Sequence, residues 1–249
     1  MFVTSLDSRR KKTLQAIVEA YVETASPVSS QTIVRKLHWR ISPATVRNIM
    51  AELSEQEFVW QPHISAGRIP TDKGYRYYID SLLEPEQLSF QERELIENQY
   101  PAKREAFDEL LTEILGILSN FSGYTALALS SFGKDKLYIE KLSCILEYPE
   151  FHNTEKLQPI LKTFERREPL LKIMKEDLST DGVKVHIGKE NPYRDIQECS
   201  LVVSSFKIKN KNMGALGIIG PRRMSYPKVI STVEYMAHTF NERFSDFDF

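Results

Sequence analysis

Cysteine is nearly absent. Cys144 and Cys199 are the two in 249 residues, far apart and without a C-x-x-C pair, so neither a disulfide framework nor a zinc site is expected and a reducing cytoplasm fits best. Long apolar runs are missing as well: charge follows Met1-Phe2-Val3-Thr4 almost at once, and no stretch approaches a signal core or a membrane span. That predicts a chain neither exported nor anchored. The five histidines (His38, His63, His152, His186, His238) are scattered, none beside a second ligand at metal-site spacing. There is no P-loop, nucleophile elbow or dinucleotide fingerprint, and Gly214, Gly217 and Gly220, spaced G-x-x-G-x-x-G, sit in a β-prone run where close strand packing explains them better. No enzyme and no cofactor are expected.

A one-signed charge excess is lacking too, the formal net charge being -1. It hides an asymmetry: residues 1–83 hold 11 Lys+Arg against 8 Asp+Glu, net +3, leaving 22 against 26, net -4, for the rest. Arg9, Arg10, Lys11 and Lys12 form the one dense basic cluster, which reads either as a solvated helix start or as a phosphate clamp.

The most informative stretch is Ile41 to Leu83. Ser42-Pro43 is a helix start, since the Ser hydroxyl can accept from first-turn N–H groups and Pro needs no partner there. Val46, Ile49, Met50 and Leu53 recur as one apolar stripe, leaving Ala44, Thr45, Arg47, Asn48 and Ala51 on or beside the opposite face. Small and polar, that face reads either as ordinary solvent surface or as one shaped to approach base edges in a major groove. Phe58-Val59-Trp60 is β-prone and His63–Pro70 (HISAGRIP) is a Gly-hinged loop with a basic tip, a wing beside the helix. Thr71 caps a last helix with Tyr75, Tyr78, Ile79 and Leu82 as its buried stripe.

Upstream, Leu6–Thr24 reads as a helix with Leu14, Ile17, Val18 and Tyr21 on one face, and Ser29 or Ser30 caps a short helix through Leu37, with a turn at 38–41. Downstream, Glu84-Pro85-Glu86-Gln87 is a polar hinge, followed by helical runs 88–99 and, after Pro101, to about 120. Strands are expected at 124–131, 136–144, 183–187, 200–208 and 213–219, with a turn at 210–212, helices at about 154–165 and 168–178, and a closing helix from Tyr226 to about 244. The pattern is α+β, with domains at 1–84 and 123–249 and a helical linker at 85–122.

The segments PVSSQTIV, SPATVRNIMAEL and QPHISAGRIPTDKGYRYYID closely resemble the winged helix-turn-helix domain of the HrcA family of heat-inducible transcription repressors, and GYTALALS, GVKVHIGKENPYRDIQECSLVVSSF and GALGIIGPRRMSYPKVISTVEYMA resemble its GAF-like antiparallel sheet domain. The resemblance implies a homodimeric repressor of chaperone operons that binds double-stranded DNA at an inverted-repeat operator called CIRCE and depends on the GroEL chaperonin. In the winged-helix reading Thr45 and Asn48 face base edges, Arg47 and Ser42 reach phosphates or a neighbouring base, and His63, Ser65 and Arg68 of the wing contact backbone or minor groove, His63 reading equally as a neutral loop histidine. Ser30, Gln31, Arg40 and Lys73 complete the candidate set. One departure stands out: the family's inserted dimerisation domain is missing or greatly shortened after Lys141, so the expected dimer is weakened. The rival reading is a shortened, non-repressing paralogue that binds protein or a small ligand, although no convergent polar set marks a ligand.

Overall fold

The computed structural model describes residues 6–84, 86–100, 107–180, 182–208 and 211–244. The expected hinge residue Pro85, the break at Pro101 and turn residue Asn210 lie outside them. The chain divides into two compact units, Met1–Glu84 and Pro85–Phe249.

The first unit is built on capped helices. Helix α1 (Ser8–Thr24) starts at Asp7, whose carboxylate accepts from the Arg10 N–H, and it buries Leu14, Ile17 and Val18. Helices α2 (Ser30–Lys36) and α3 (Pro43–Glu55) start alike: the Thr32 N–H donates to Ser29 Oγ, and the Thr45 N–H donates to Ser42 Oγ, each at 3.1 Å. The turn between them places His38 at φ +48°, a left-handed position that glycine enters at no cost. Strands β1 (Val59–Trp60) and β2 (Ile69–Pro70) pair antiparallel, and α4 (Asp72–Ser81) follows from the Thr71 cap. Its buried face differs from the expected stripe: Tyr77 joins Tyr75 and Tyr78, while Ile79 and Leu82 are half-buried. The reason is an edge-on contact of Tyr77 with Phe58, ring centroids 5.2 Å apart, which rotates the helix toward the hairpin.

The second unit is a five-stranded antiparallel sheet, in the order β4-β3-β7-β6-β5, between two helical layers. Its strands are β3 (Thr125–Ser130), β4 (Lys136–Glu140), β5 (Val183–Ile187), β6 (Cys199–Ile208) and β7 (Lys211–Pro221). Lys211 and Asn212, expected in a turn, already belong to β7, paired with Ile208 and Lys207. Helices α5 (Phe90–Gln99), α6 (Phe107–Ser122) and α9 (Tyr226–Phe244) belong to one layer; α7 (Thr154–Arg166) and α8 (Glu168–Asp177) cover the other face. The alternation of β3 and β6 explains both layers: Leu127, Leu129, Leu201 and Val203 pack with Ile160, Phe164, Ile173 and Met174, while the Phe206 ring lies tilted against Phe240 of α9, centroids 4.2 Å apart. Residues 85–122, read from the sequence as a linker, cluster with this second unit, and α6 buries Leu110, Leu111, Ile114, Leu115 and Leu118 in it. Between β4 and α7 two 3-10 turns, Leu142–Glu147 and Pro149–Phe151, replace the last residues of the longer strand expected there, because Lys141 turns left-handed at φ +53°.

Candidate nucleic-acid interface

Helix α3 sorts its residues cleanly. Val46, Ile49, Met50 and Leu53 are buried, while Ala44, Thr45, Arg47 and Asn48 are exposed on the opposite arc. The start of that arc is pre-set, since Ser42 Oγ lies 3.0 Å from Thr45 Oγ1 as well as accepting the Thr45 N–H. A hydroxyl held on a cap stays at a fixed height on the helix, whereas Arg47 and Asn48 project without a hydrogen bond or ion pair among the described residues. Arg40 and Gln31 are exposed nearby in sequence, and Ile41 is half-buried at the turn. Ser30 departs from the rest of the candidate set: it is buried in the first turn of α2, because Ser29 occupies the cap and turns Ser30 inward.

The loop between β1 and β2 is organised by a residue that sequence reasoning passed over. Gln61 Nε2 donates to the Ile64 carbonyl (2.8 Å) and to the Ala66 carbonyl (2.9 Å), and the Ala66 N–H closes a turn onto the His63 carbonyl (2.9 Å). One side chain thus fixes a loop whose tip, His63-Ile64-Ser65, is exposed, Ile64 completely so. Nothing local marks a glutamine for that role; the nearest signal is its position just after a strand.

Arg68 and Lys73 are placed differently from His63 and Ser65. Arg68 Nε donates to Ser54 Oγ at 2.8 Å, its side chain is half-buried, and that burial lowers its pKa. Its backbone exchanges two 2.9 Å hydrogen bonds with Val28, so it ties the loop's base to the α1–α2 connection and to α3. Lys73 donates to the Gln56 carbonyl (2.8 Å) with its ammonium 4.9 Å from the centre of the Phe58 ring, pinning the end of α3 to the start of α4. Both cations therefore serve the unit's own geometry. In the basic cluster Arg10 is similarly held, by Asp7 and by Glu52 of α3.

Two glycines allow these approaches. A methyl group on Gly67 would lie 2.2 Å from the Val28 carbonyl oxygen, and one on Gly74 2.1 Å from that of Phe58. Among the described residues no group of His, Cys, Asp or Glu is arranged to hold a metal ion, and no helix is long and apolar enough to cross a membrane.

Comparison with known proteins agrees with the sequence resemblance. Residues 76–230 match the family model described as the HrcA protein C terminal domain. The chain is 29% identical to the heat-inducible transcription repressor HrcA of Pelotomaculum thermopropionicum, covering 95% of this chain and 96% of that one, and 30% identical to that of Carboxydothermus hydrogenoformans, covering 95% and 98%. Both alignments span 335 positions, so at least 86 of them (335 minus the 249 residues here) face no residue of this chain. A crystal structure of a hypothetical protein shares the fold, with a TM-score of 0.76 and 18% identity over 97% of this chain and 99% of that one. These matches place the chain among transcription repressors, not enzymes. It belongs to the HrcA family of heat-inducible transcription repressors.

Proposed function

We propose that residues 1–84 are a winged helix-turn-helix that binds double-stranded DNA at the inverted-repeat CIRCE operator of chaperone genes, as a homodimer in the cytoplasm, with the GAF-like second unit and GroEL setting the active fraction. The observation that carries this reading is the exposed arc of α3, small and polar over Ala44, Thr45, Arg47 and Asn48, beside a loop that Gln61 holds with His63 and Ser65 outward. Thr45 and Asn48 read base edges, Arg47 and Arg40 meet phosphates, and the loop tip meets the neighbouring backbone. Ser42 acts through its cap, and Arg68 and Lys73 by positioning the wing.

The test is binding of this chain to a CIRCE duplex and a scrambled duplex at two salt concentrations. Asn48→Ala should remove about 1–3 kcal/mol of preference for the repeat, and Arg47→Ala should weaken both duplexes and flatten the salt dependence by about one phosphate contact. Equal binding of the two duplexes by the unmodified chain would refute operator reading and favour the non-repressing paralogue, which the 86 or more missing positions support. Addition of GroEL to a titration of the active fraction tests the chaperonin dependence; an unchanged fraction would count against it.

A further inference from the structure

β4 ends the sheet: it pairs with β3 on one side and with no strand on the other among the described residues. A slot of about 690 Å³ runs along that open side, lined by consecutive β4 residues from Lys136 to Glu140, by Asp108, Glu109 and Thr112 of α6 on one flank, and by Arg167, at the α7–α8 junction. Consecutive residues of one strand line it, so the slot follows the open edge of the sheet. An open edge of this kind offers its backbone groups to a further strand, and its short, charged sequence limits which strand can pair with it.

We propose that this slot is an interface with a second copy of the same chain, formed by antiparallel pairing of β4 with β4 of the partner about a two-fold axis at Tyr138. The strand's sequence selects the occupant. In K-L-Y-I-E, pairing centred on Tyr138 sets Lys136 opposite Glu140 of the partner subunit and Glu140 opposite Lys136 of the partner subunit, two complementary pairs on one face. Sliding by one residue loses both pairs and turns Tyr138 toward the wrong neighbour, so the charges also fix the register. An isologous contact of this kind closes at two subunits, because each copy's only open β4 edge is then used. Within one protomer Lys136 and Tyr138 both bond Asp108, which holds the strand's charged face in place for the partner.

The proposal rests on the homodimer of the functional reading; sedimentation of the full chain without DNA tests the interface itself, because a dimer indifferent to changes in β4 would overturn this interface and leave that homodimer standing. The unmodified chain should show a monomer–dimer equilibrium. Lys136→Glu alone and Glu140→Lys alone should each raise the dissociation constant roughly tenfold or more, since attraction becomes repulsion at two places. An equimolar mixture of the two variants, or the double variant, should recover the dimer. Because Lys136 also meets Asp108, a second readout avoids that pair: Tyr138→Cys should cross-link to a disulfide dimer under mild oxidation, the native thiols of Cys144 and Cys199 being buried. A chain that stays monomeric at all concentrations, a dimer indifferent to the charge reversals, or Tyr138→Cys that fails to cross-link would each overturn the proposal.

Discussion

Gly67→Ala should loosen the first unit more than any exposed substitution in it. The added methyl would sit 2.2 Å from the Val28 oxygen and 2.4 Å from its carbonyl carbon, both backbone atoms with no rotamer to change. Relief requires the two segments to part by about 1 Å, which takes the paired 2.9 Å hydrogen bonds between Val28 and Arg68 beyond bonding range. Two such bonds are worth about 1–3 kcal/mol net, and residual overpacking adds about 1 kcal/mol, so a loss of about 2–4 kcal/mol is expected. For a unit of this size that is roughly 10–25 °C in Tm. A two-unit chain need not melt in one step, so the assay is amide exchange at Val28 and Arg68 alongside calorimetry. Gly116→Ala in α6 is the control: its methyl would meet nothing within 4 Å, and helix propensity predicts a gain of about 0.5–1 kcal/mol. Full protection of both amides in Gly67→Ala, with an unshifted transition, would refute the close-approach reasoning.

His38→Gly should stabilise the first unit by about 0.5–1 kcal/mol, because His38 is held left-handed at φ +48°; denaturant midpoints check it. Arg68→Ala should cost about 1–3 kcal/mol of that unit's stability through the lost bond to Ser54, while the salt dependence of DNA binding hardly changes; a large fall in the salt slope would show instead that Arg68 meets phosphate. In α5, bonds from the Ser89 N–H and hydroxyl hold the Glu92 carboxyl below its usual 4.5. The folded value being lowered, this support is complete above pH 4.5 and disappears as the pH falls through the lowered value; amide exchange in the first turn should show that loss, and Glu92→Gln should abolish its pH dependence. Cys199 is fully buried and burial pushes its thiol pKa up, so it should resist a thiol reagent until the chain unfolds; labelling at the native rate of an exposed thiol would contradict the packing of β6.

What was legible in the sequence is what repeats locally. The α3 stripe of Val46, Ile49, Met50 and Leu53 and the Ser42-Pro43 start need only neighbours within two turns, and each is found where the spacing puts it. Strands β3 and β5 to β7 were readable for the same reason, their apolar runs being bounded by turn residues. Tertiary contacts were not readable. Tyr77 is buried because Phe58, 19 positions away, presents a ring edge to it; Ile79 has the better apolar credentials and the worse partner. Arg68 shows the same limit within the candidate site. A basic residue in a Gly-hinged loop has the sequence signature of a phosphate contact; what the sequence did not show is Ser54, 14 positions upstream, whose hydroxyl accepts from Arg68 Nε at 2.8 Å and leaves that side chain half-buried.

The loop illustrates why composition predicts a surface better than it predicts who works on it. Its basic residue is half-buried against Ser54, and the residues exposed at the tip are His63, Ile64 and Ser65, one of them wholly apolar. A tip of that chemistry gains little from long-range attraction to phosphate and depends on shape, which requires the loop to be held before it meets a partner. Gln61 supplies the holding with two carbonyl contacts, and Gly67 permits the seam to Val28 that anchors the base. Gln61→Ala should therefore weaken DNA binding without altering its salt slope, the opposite signature to Arg47→Ala. If Gln61→Ala bound with unchanged affinity, the order of this loop would be irrelevant to binding, and the exposed arc of α3 would have to account for the interface alone.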